Sequence, residues 1–262
     1  MENKENMLEE QKNDNKNEQS ENLSPAPDTP PYEIKLWKRI YLFIVGLAGL
    51  QIFAIIVGLI ISFTFPKELV NPVANLITYC VLFVALVAII IFDLPKLLYH
   101  FKKWQPYVFG IVGAIVVVCF DMAYSAILNL FYKFSQSGNE ESVRSIISYY
   151  PLSSILILGI VGPICEELTY RVGLFALAKK WKKWFAYVIT TVVFASIHIV
   201  PSLLSGGNPW NELASLPMYA FSGFAFSFLY DKWGFAASVV AHMGNNLFVV
   251  VSQVIAKKLG IK

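Results

Sequence analysis

Two adjacent carboxylates, Glu166 and Glu167, and an arginine, Arg171, sit in an apolar run that starts near Pro151 and ends before Lys179. The run reads as a membrane-spanning helix, where each ionisable group costs about 2.5–3.5 kcal/mol on insertion scales. Charge held against that cost points to a task. Further along, His198 follows Phe194 by four residues and His242 precedes Asn246 by four. Residues at that interval point within about 40° of each other on a helix. Glu167 and Arg171 share it with the acid first, which suits an intrahelical ion pair. Glu166, turned about 100° away, is left without a charge partner.

An unpaired carboxylate in a low-dielectric setting is suited to take a proton from water, and an imidazole beside it can share that work. A second imidazole and a carboxamide can donate hydrogen bonds to a carbonyl oxygen as it becomes an oxyanion. Together these types make a water-activating hydrolytic site. Glu166, His198 and His242 could instead hold Zn²⁺, which takes N and O ligands and keeps a position for water. The spacing leaves both mechanisms open. Other intramembrane protease signatures fit poorly: neither HExxH nor GxGD occurs, and Ala220-Phe221-Ser222-Gly223 lacks the first glycine of a rhomboid-type GxSG. Ser222 with His242 is therefore a weak alternative. Cys165 as nucleophile lacks a neighbouring base to form its thiolate.

The elements that must position these groups are helices in a bilayer. Of the 262 residues 56% are hydrophobic and 15% charged, with a mean hydropathy of +0.56, far from a soluble domain's mix. The predicted fold is an all-α, polytopic transmembrane bundle. Apolar spans fall at roughly 40–64, 73–92, 107–132, 151–178, 184–204, 213–230 and 234–256, each near the ~20 residues that cross about 30 Å of hydrocarbon. That makes seven, or eight if the third or the Pro-containing fourth is two pieces. Counted from the basic boundaries at about 1.5 Å per residue, Glu166, His198, His242 and Asn246 lie at similar depth, so three helices can bring them to one plane. The remaining strongly polar residues within spans, Gln51, Asn75, Asp121, Asn129, Asn245 and Gln253, read as packing hydrogen bonds or groups facing a vestibule. Gly159, Gly162 and Pro163, just before Glu166, are placed to kink their helix and admit water.

Residues 1–31 carry 3 Lys against 8 Asp/Glu, a net −5, and end in Pro25, Pro27, Pro30 and Pro31; they read as a disordered acidic cytoplasmic tail. The first apolar segment is too long for a signal-peptide core and has no cleavage site. Residues 32–149 hold the N-terminal helices and 150–256 the chemistry. The total of +3 leaves +8 beyond the tail, which suits loops on anionic lipid and is no argument for nucleic acid. Cys80, Cys119 and Cys165 lie in apolar runs, against a disulfide framework. Lysine and arginine concentrate on one side (Lys35, Lys38, Arg39, Lys96, Lys102, Lys103, Lys179, Lys180, Lys182, Lys183, Lys232), so the N-terminus is expected in the cytoplasm. Lys257, Lys258 and Lys262 then fall outside, which suggests a miscounted span near the C-terminus.

Glu166-Glu167-Leu168-Thr169-Tyr170-Arg171, then Phe194 to His198, then His242 to Asn246 resemble the EExxxR, FxxxH and HxxxN motifs of the CPBP intramembrane proteases. That group contains the type II CAAX prenyl endopeptidases and the bacterial Abi and bacteriocin-immunity proteins. The resemblance covers about residues 150–250. It implies an endopeptidase acting at or within the membrane, with Glu166 and His198 activating water, His242 and Asn246 forming the oxyanion hole, and Glu167 and Arg171 ordering the site. It favours a glutamate mechanism with no required cofactor, zinc being the alternative. The composition resembles that of a low-GC bacterium, so a peptide pheromone, bacteriocin or membrane-protein substrate is expected in the cell membrane rather than a prenylated one. Members also act by binding partner membrane proteins such as sensor kinases, which makes a non-proteolytic scaffold the alternative; an ion-conducting transporter stands third.

Overall fold

The structure, a computed structural model, describes residues 34–133 and 135–260, so the expected acidic tail lies outside the described residues. Every regular element among them is helical. The helices are α1 (Leu36–Ile61), α2 (Lys67–Ile90), the short α3 (Leu94–Leu98), α4 (Gln105–Phe131), α5 (Gly138–Tyr149), α6 (Pro151–Ala178), α7 (Lys183–Leu204) and α8 (Pro209–Lys258). Six of them, all but α3 and α5, are long and apolar enough to cross a membrane. Their outward faces carry the large apolar side chains that hydrocarbon solvates: Ile55, Leu59, Val84, Ile111, Val188 and many others are exposed.

α8 holds the difference between six helices and seven spans. Its 50 residues would run about 75 Å if straight, yet the Phe226 and His242 rings stack at 4.5 Å and Ser238 Oγ lies 2.9 Å from the Phe226 carbonyl oxygen. The chain therefore doubles back at Gly234, whose φ of 78° and ψ of −172° belong to a region open in practice to glycine alone. The two arms, 209–233 and 235–258, are the sixth and seventh expected spans. The third and fourth spans are each one helix, so neither supplies an eighth. Nor is a span missing at the C-terminus: Lys257, in the last turn of the second arm, lies on the face opposite the basic loops and donates to the Ser148 carbonyl.

Glycines set the helix contacts, as small residues do where lipid removes the hydrophobic drive between helices. A Cβ on Gly46 of α1 would fall 1.9 Å from Thr169 Oγ1 of α6, and one on Gly173 of α6 would meet Phe43 of α1. Gly110 and Gly113 of α4 also leave no room for a Cβ against Val240, Ala237 and Leu229 of the α8 arms. The basic face is tied down by two buried aspartates. Asp93 takes both Lys38, at 2.5 Å, and Lys96, and Asp231 takes Lys179 and Lys183, each at 2.6 Å. The opposite face closes through Glu212, which accepts from Ser202 at 2.7 Å and from the Gly138 N–H at 2.8 Å. That clamp joins α8 to α7 and to the start of α5.

Candidate functional site

α6 is the most buried of the apolar helices and its ladder is irregular. Pro163 has no N–H for the carbonyl one turn back, and the helix widens to π geometry over Ile157–Val161 and again over Leu168–Phe175. Such bulges tilt carbonyls off the axis and re-aim side chains. The first bulge leaves the Leu158 carbonyl to accept from Asn246 Nδ2 at 3.0 Å. Between the two bulges come Glu166 and Glu167.

Glu167 is fully buried and meets Arg171, one turn on, at 3.3 Å. Its Oε1 also accepts from His242 Nδ1 at 2.8 Å, and its Oε2 accepts from Ser238. Arg171 is likewise sealed; it donates to the Gly223 carbonyl at 3.1 Å and lies over the Phe194 and Phe226 rings at 4.7 and 5.5 Å. The expected ion pair exists, but Glu167 does more than balance Arg171. It ties His242 down, whereas the sequence placed His242 with Asn246. A carboxylate only accepts, so His242 Nδ1 carries a proton, and in the neutral ring Nε2 is bare.

Glu166 stands apart, as expected, but is not isolated. Its Oε1 accepts from the Tyr79 hydroxyl of α2 at 3.2 Å. Its Oε2 is buried with no hydrogen-bond partner and sits 3.7 Å from His242 Nε2. His198 lies on α7 with Nδ1 donating to the Phe194 carbonyl at 2.7 Å and its ring stacked on Tyr219 at 4.6 Å. A carbonyl also only accepts, so His198 presents a bare Nε2.

Glu166, His198, His242, Asn245 and Asn246 share a cavity of about 400 Å³, and Glu167 and Arg171 lie sealed behind it. A second cavity of about 550 Å³ reaches Glu166 and His198 from the Glu212 face, past Gln51, Asn71, Asn75 and Ser202. Tyr79 and Asn139 border both cavities. Tyr79, Ser238 and Tyr219 were missed by the sequence: a tyrosine or serine in an apolar span carries no spacing signal, and each is chosen by a contact from another helix. Ser222 borders the first cavity but makes no hydrogen bond with His242, whose Nε2 faces Glu166. Cys165 packs in the apolar core beside Leu168 and Val172. Zinc fits poorly. Glu166, His198 and His242 have suitable donor atoms, yet among the described residues no group of three or more His, Cys, Asp or Glu is placed to hold an ion.

Residues 148–248 match the family model described as type II CAAX prenyl endopeptidase, Rce1-like. Among curated proteins, YdiL of Bacillus subtilis (strain 168), a membrane peptidase by name, is 33% identical over 123 residues, covering 45% of this chain and 44% of the relative. The membrane-embedded CAAX protease MroQ of Staphylococcus aureus (strain USA300) is 28% identical over 168 residues, covering 61% and 64%. The protein YvdC of Lactococcus lactis subsp. lactis (strain IL1403) is 23% identical over 165 residues, covering 63% and 58%. The matches thus span between about two fifths and two thirds of the relatives' lengths. No solved structure matches the chain. The matched stretch, residues 148–248, contains Glu166, His198, Tyr219, His242, Asn245 and Asn246, which α6, α7 and α8 bring to the cavity, and over that stretch this multi-pass membrane protein resembles the CPBP family, on its Rce1-like side.

Proposed function

We propose that the protein is an intramembrane endopeptidase that hydrolyses a peptide bond with water activated by Glu166 and His198. The observation that carries this reading is Glu166 Oε2, buried and without a donor, on the wall of a cavity large enough for a peptide segment. A water held there gives a proton to Glu166 as its oxygen attacks the scissile carbonyl carbon. His198 Nε2 accepts the same water's second hydrogen bond. The C–N bond then breaks and Glu166 returns the proton to the leaving amine, regenerating the carboxylate. The oxyanion is met by the second N–H of Asn246, whose first goes to Leu158, and His242 lines the same wall of the cavity. Glu167 and Arg171 position His242. The polar cavity past Asn71 and Asn75 supports a water route from the Glu212 face, and no metal is required.

The test is cleavage of apolar peptides by the full chain in lipid nanodiscs. Glu166→Gln keeps the shape and loses the base, and the rate is expected to fall by about 10²–10⁴; 1,10-phenanthroline is expected to leave the wild-type rate unchanged. Wild-type cleavage by Glu166→Gln, or chelator inhibition reversed by Zn²⁺, overturns the mechanism. A host phenotype that survives Glu166→Gln would favour the scaffold. We also place the basic face, and with it the N-terminus, in the cytoplasm. With the native cysteines replaced, Ser205→Cys should react with an impermeant maleimide in intact cells and Lys180→Cys only after permeabilisation.

A further inference from the structure

The cavity beside Glu166 is lopsided in charge. Asp121 of α4 and Glu140 of α5 border it together with Glu166, and among the described residues no Lys or Arg borders either cavity. Four of its surrounding side chains have a buried acceptor oxygen with no hydrogen-bond partner: Asp121 Oδ1, Glu166 Oε2, Asn245 Oδ1 and Gln253 Oε1. Glu166 is itself only 6% exposed. Unmade bonds of this kind carry their desolvation cost until a donor arrives. Glu140 has compensation of its own, from the Ser137 N–H and from Arg144 one turn on. Asp121 has neither, and Glu140 adds negative charge beside it.

Asp121 also stands where a ligand would reach it. It continues the α4 stripe of Gly110, Ala114 and Val117 that packs on the α8 arms, one turn past the fully buried Val117. There the helices part and the cavity opens. The cavity's walls also include Met122, Met218, Val249, Val250 and Phe226. Methionines adapt to the ligand's shape, and apolar walls leading to a carboxylate suit a long aliphatic stem with a cationic head.

We propose that this cavity is a specificity subsite for an organic ammonium or guanidinium group of the substrate peptide, with Asp121 as the carboxylate that receives it. The cation comes from a Lys or Arg side chain near the scissile bond or from a free N-terminal amine. The same acidic walls disfavour a substrate that presents a C-terminal carboxylate. This rests on the peptidase reading of Glu166, so the test has one arm that needs cleavage and one that does not.

Fluorogenic apolar peptides carry Lys, Arg, norleucine or Glu at each position in turn, with the N-terminus free or acetylated. At one position wild-type kcat/KM for Lys or Arg should exceed norleucine by at least about tenfold, with Asp121→Asn bringing that ratio near one and Asp121→Arg reversing it in favour of Glu. If the N-terminal amine is the cation, acetylation instead removes the preference. In the second arm the same peptides bind Glu166→Gln in nanodiscs, followed by fluorescence anisotropy, and the Lys peptide should again bind tighter by a similar factor. Equal binding of Lys and norleucine peptides at every position, together with equal binding of free and acetylated N-termini, overturns the subsite, as does a preference that Asp121→Asn leaves intact. Selective binding with no cleavage by the wild type upholds the subsite and overturns the peptidase.

Discussion

Three groups from two helices converge on the Glu167 carboxylate: the Arg171 guanidinium, His242 Nδ1 and the Ser238 hydroxyl. Removing its charge leaves Arg171 buried without a counter-ion, a loss of about 3–5 kcal/mol for a broken buried pair. Glu167→Gln should therefore lower the melting temperature sharply as well as abolish cleavage, whereas Glu166→Gln should abolish cleavage with little change in melting. Ser238→Ala removes one hydrogen bond worth about 1 kcal/mol and should fall between them. Differential scanning fluorimetry of the three variants in one detergent checks the order, and equal melting of the two glutamate variants would refute it. At this scale the spacing of Glu166, Glu167, Arg171, His198, His242 and Asn246 was legible, because residues four apart share a helix face. What each side chain touches was less so. The Arg171 pair follows from spacing, but the grip of Glu167 on His242 needs α6 and the second arm of α8 to be neighbours.

At the scale of elements, the return of α8 at Gly234 is what stacks Phe226 on His242 and brings Ser238 to Glu167. A side chain there meets two penalties. The backbone region costs a non-glycine residue about 1–3 kcal/mol, and a Cβ would sit 2.8 Å from the His100 ring. Gly234→Ala is expected to destabilise the protein by at least that conformational cost and to loosen His242, read as a lower melting temperature and slower cleavage. Unchanged values for both would mean the return does not depend on glycine. The two apolar arms were visible in the sequence as separate hydrophobic runs with Lys232 and Trp233 between them. The π bulges of α6 were visible only in part: Gly159, Gly162 and Pro163 marked a weak ladder, but whether it kinks, widens or breaks depends on the packing of Leu247 on Gly159 and Tyr79 on Gly162.

For the whole molecule, charge is arranged as a basic face held by buried aspartates. Burial pushes the Asp93 carboxyl up, but the Lys38 and Lys96 ammonium groups outweigh it and hold the group below the usual carboxylate range. A carboxyl lowered on folding contributes stability that is complete above its unfolded value of about 3.9 and is lost as pH falls through the folded one. Melting of the wild type should therefore decline below about pH 4, and Lys38→Met should flatten that decline while lowering melting at neutral pH. A parallel acid decline in both proteins would show that Asp93 is not responsible. The amino-acid order alone determined insertion in a membrane, the seven apolar stretches, the basic face and the helix faces that hold the motif residues. Hydropathy and the 3.6-residue repeat are local properties, summed over one segment at a time. Tertiary structure alone decided that Tyr79 holds Glu166, that Glu167 orients His242, and that Asp121 looks into the same cavity. Those facts depend on which helices are neighbours and how closely their glycines let them approach, and no single segment encodes the identity of its neighbour.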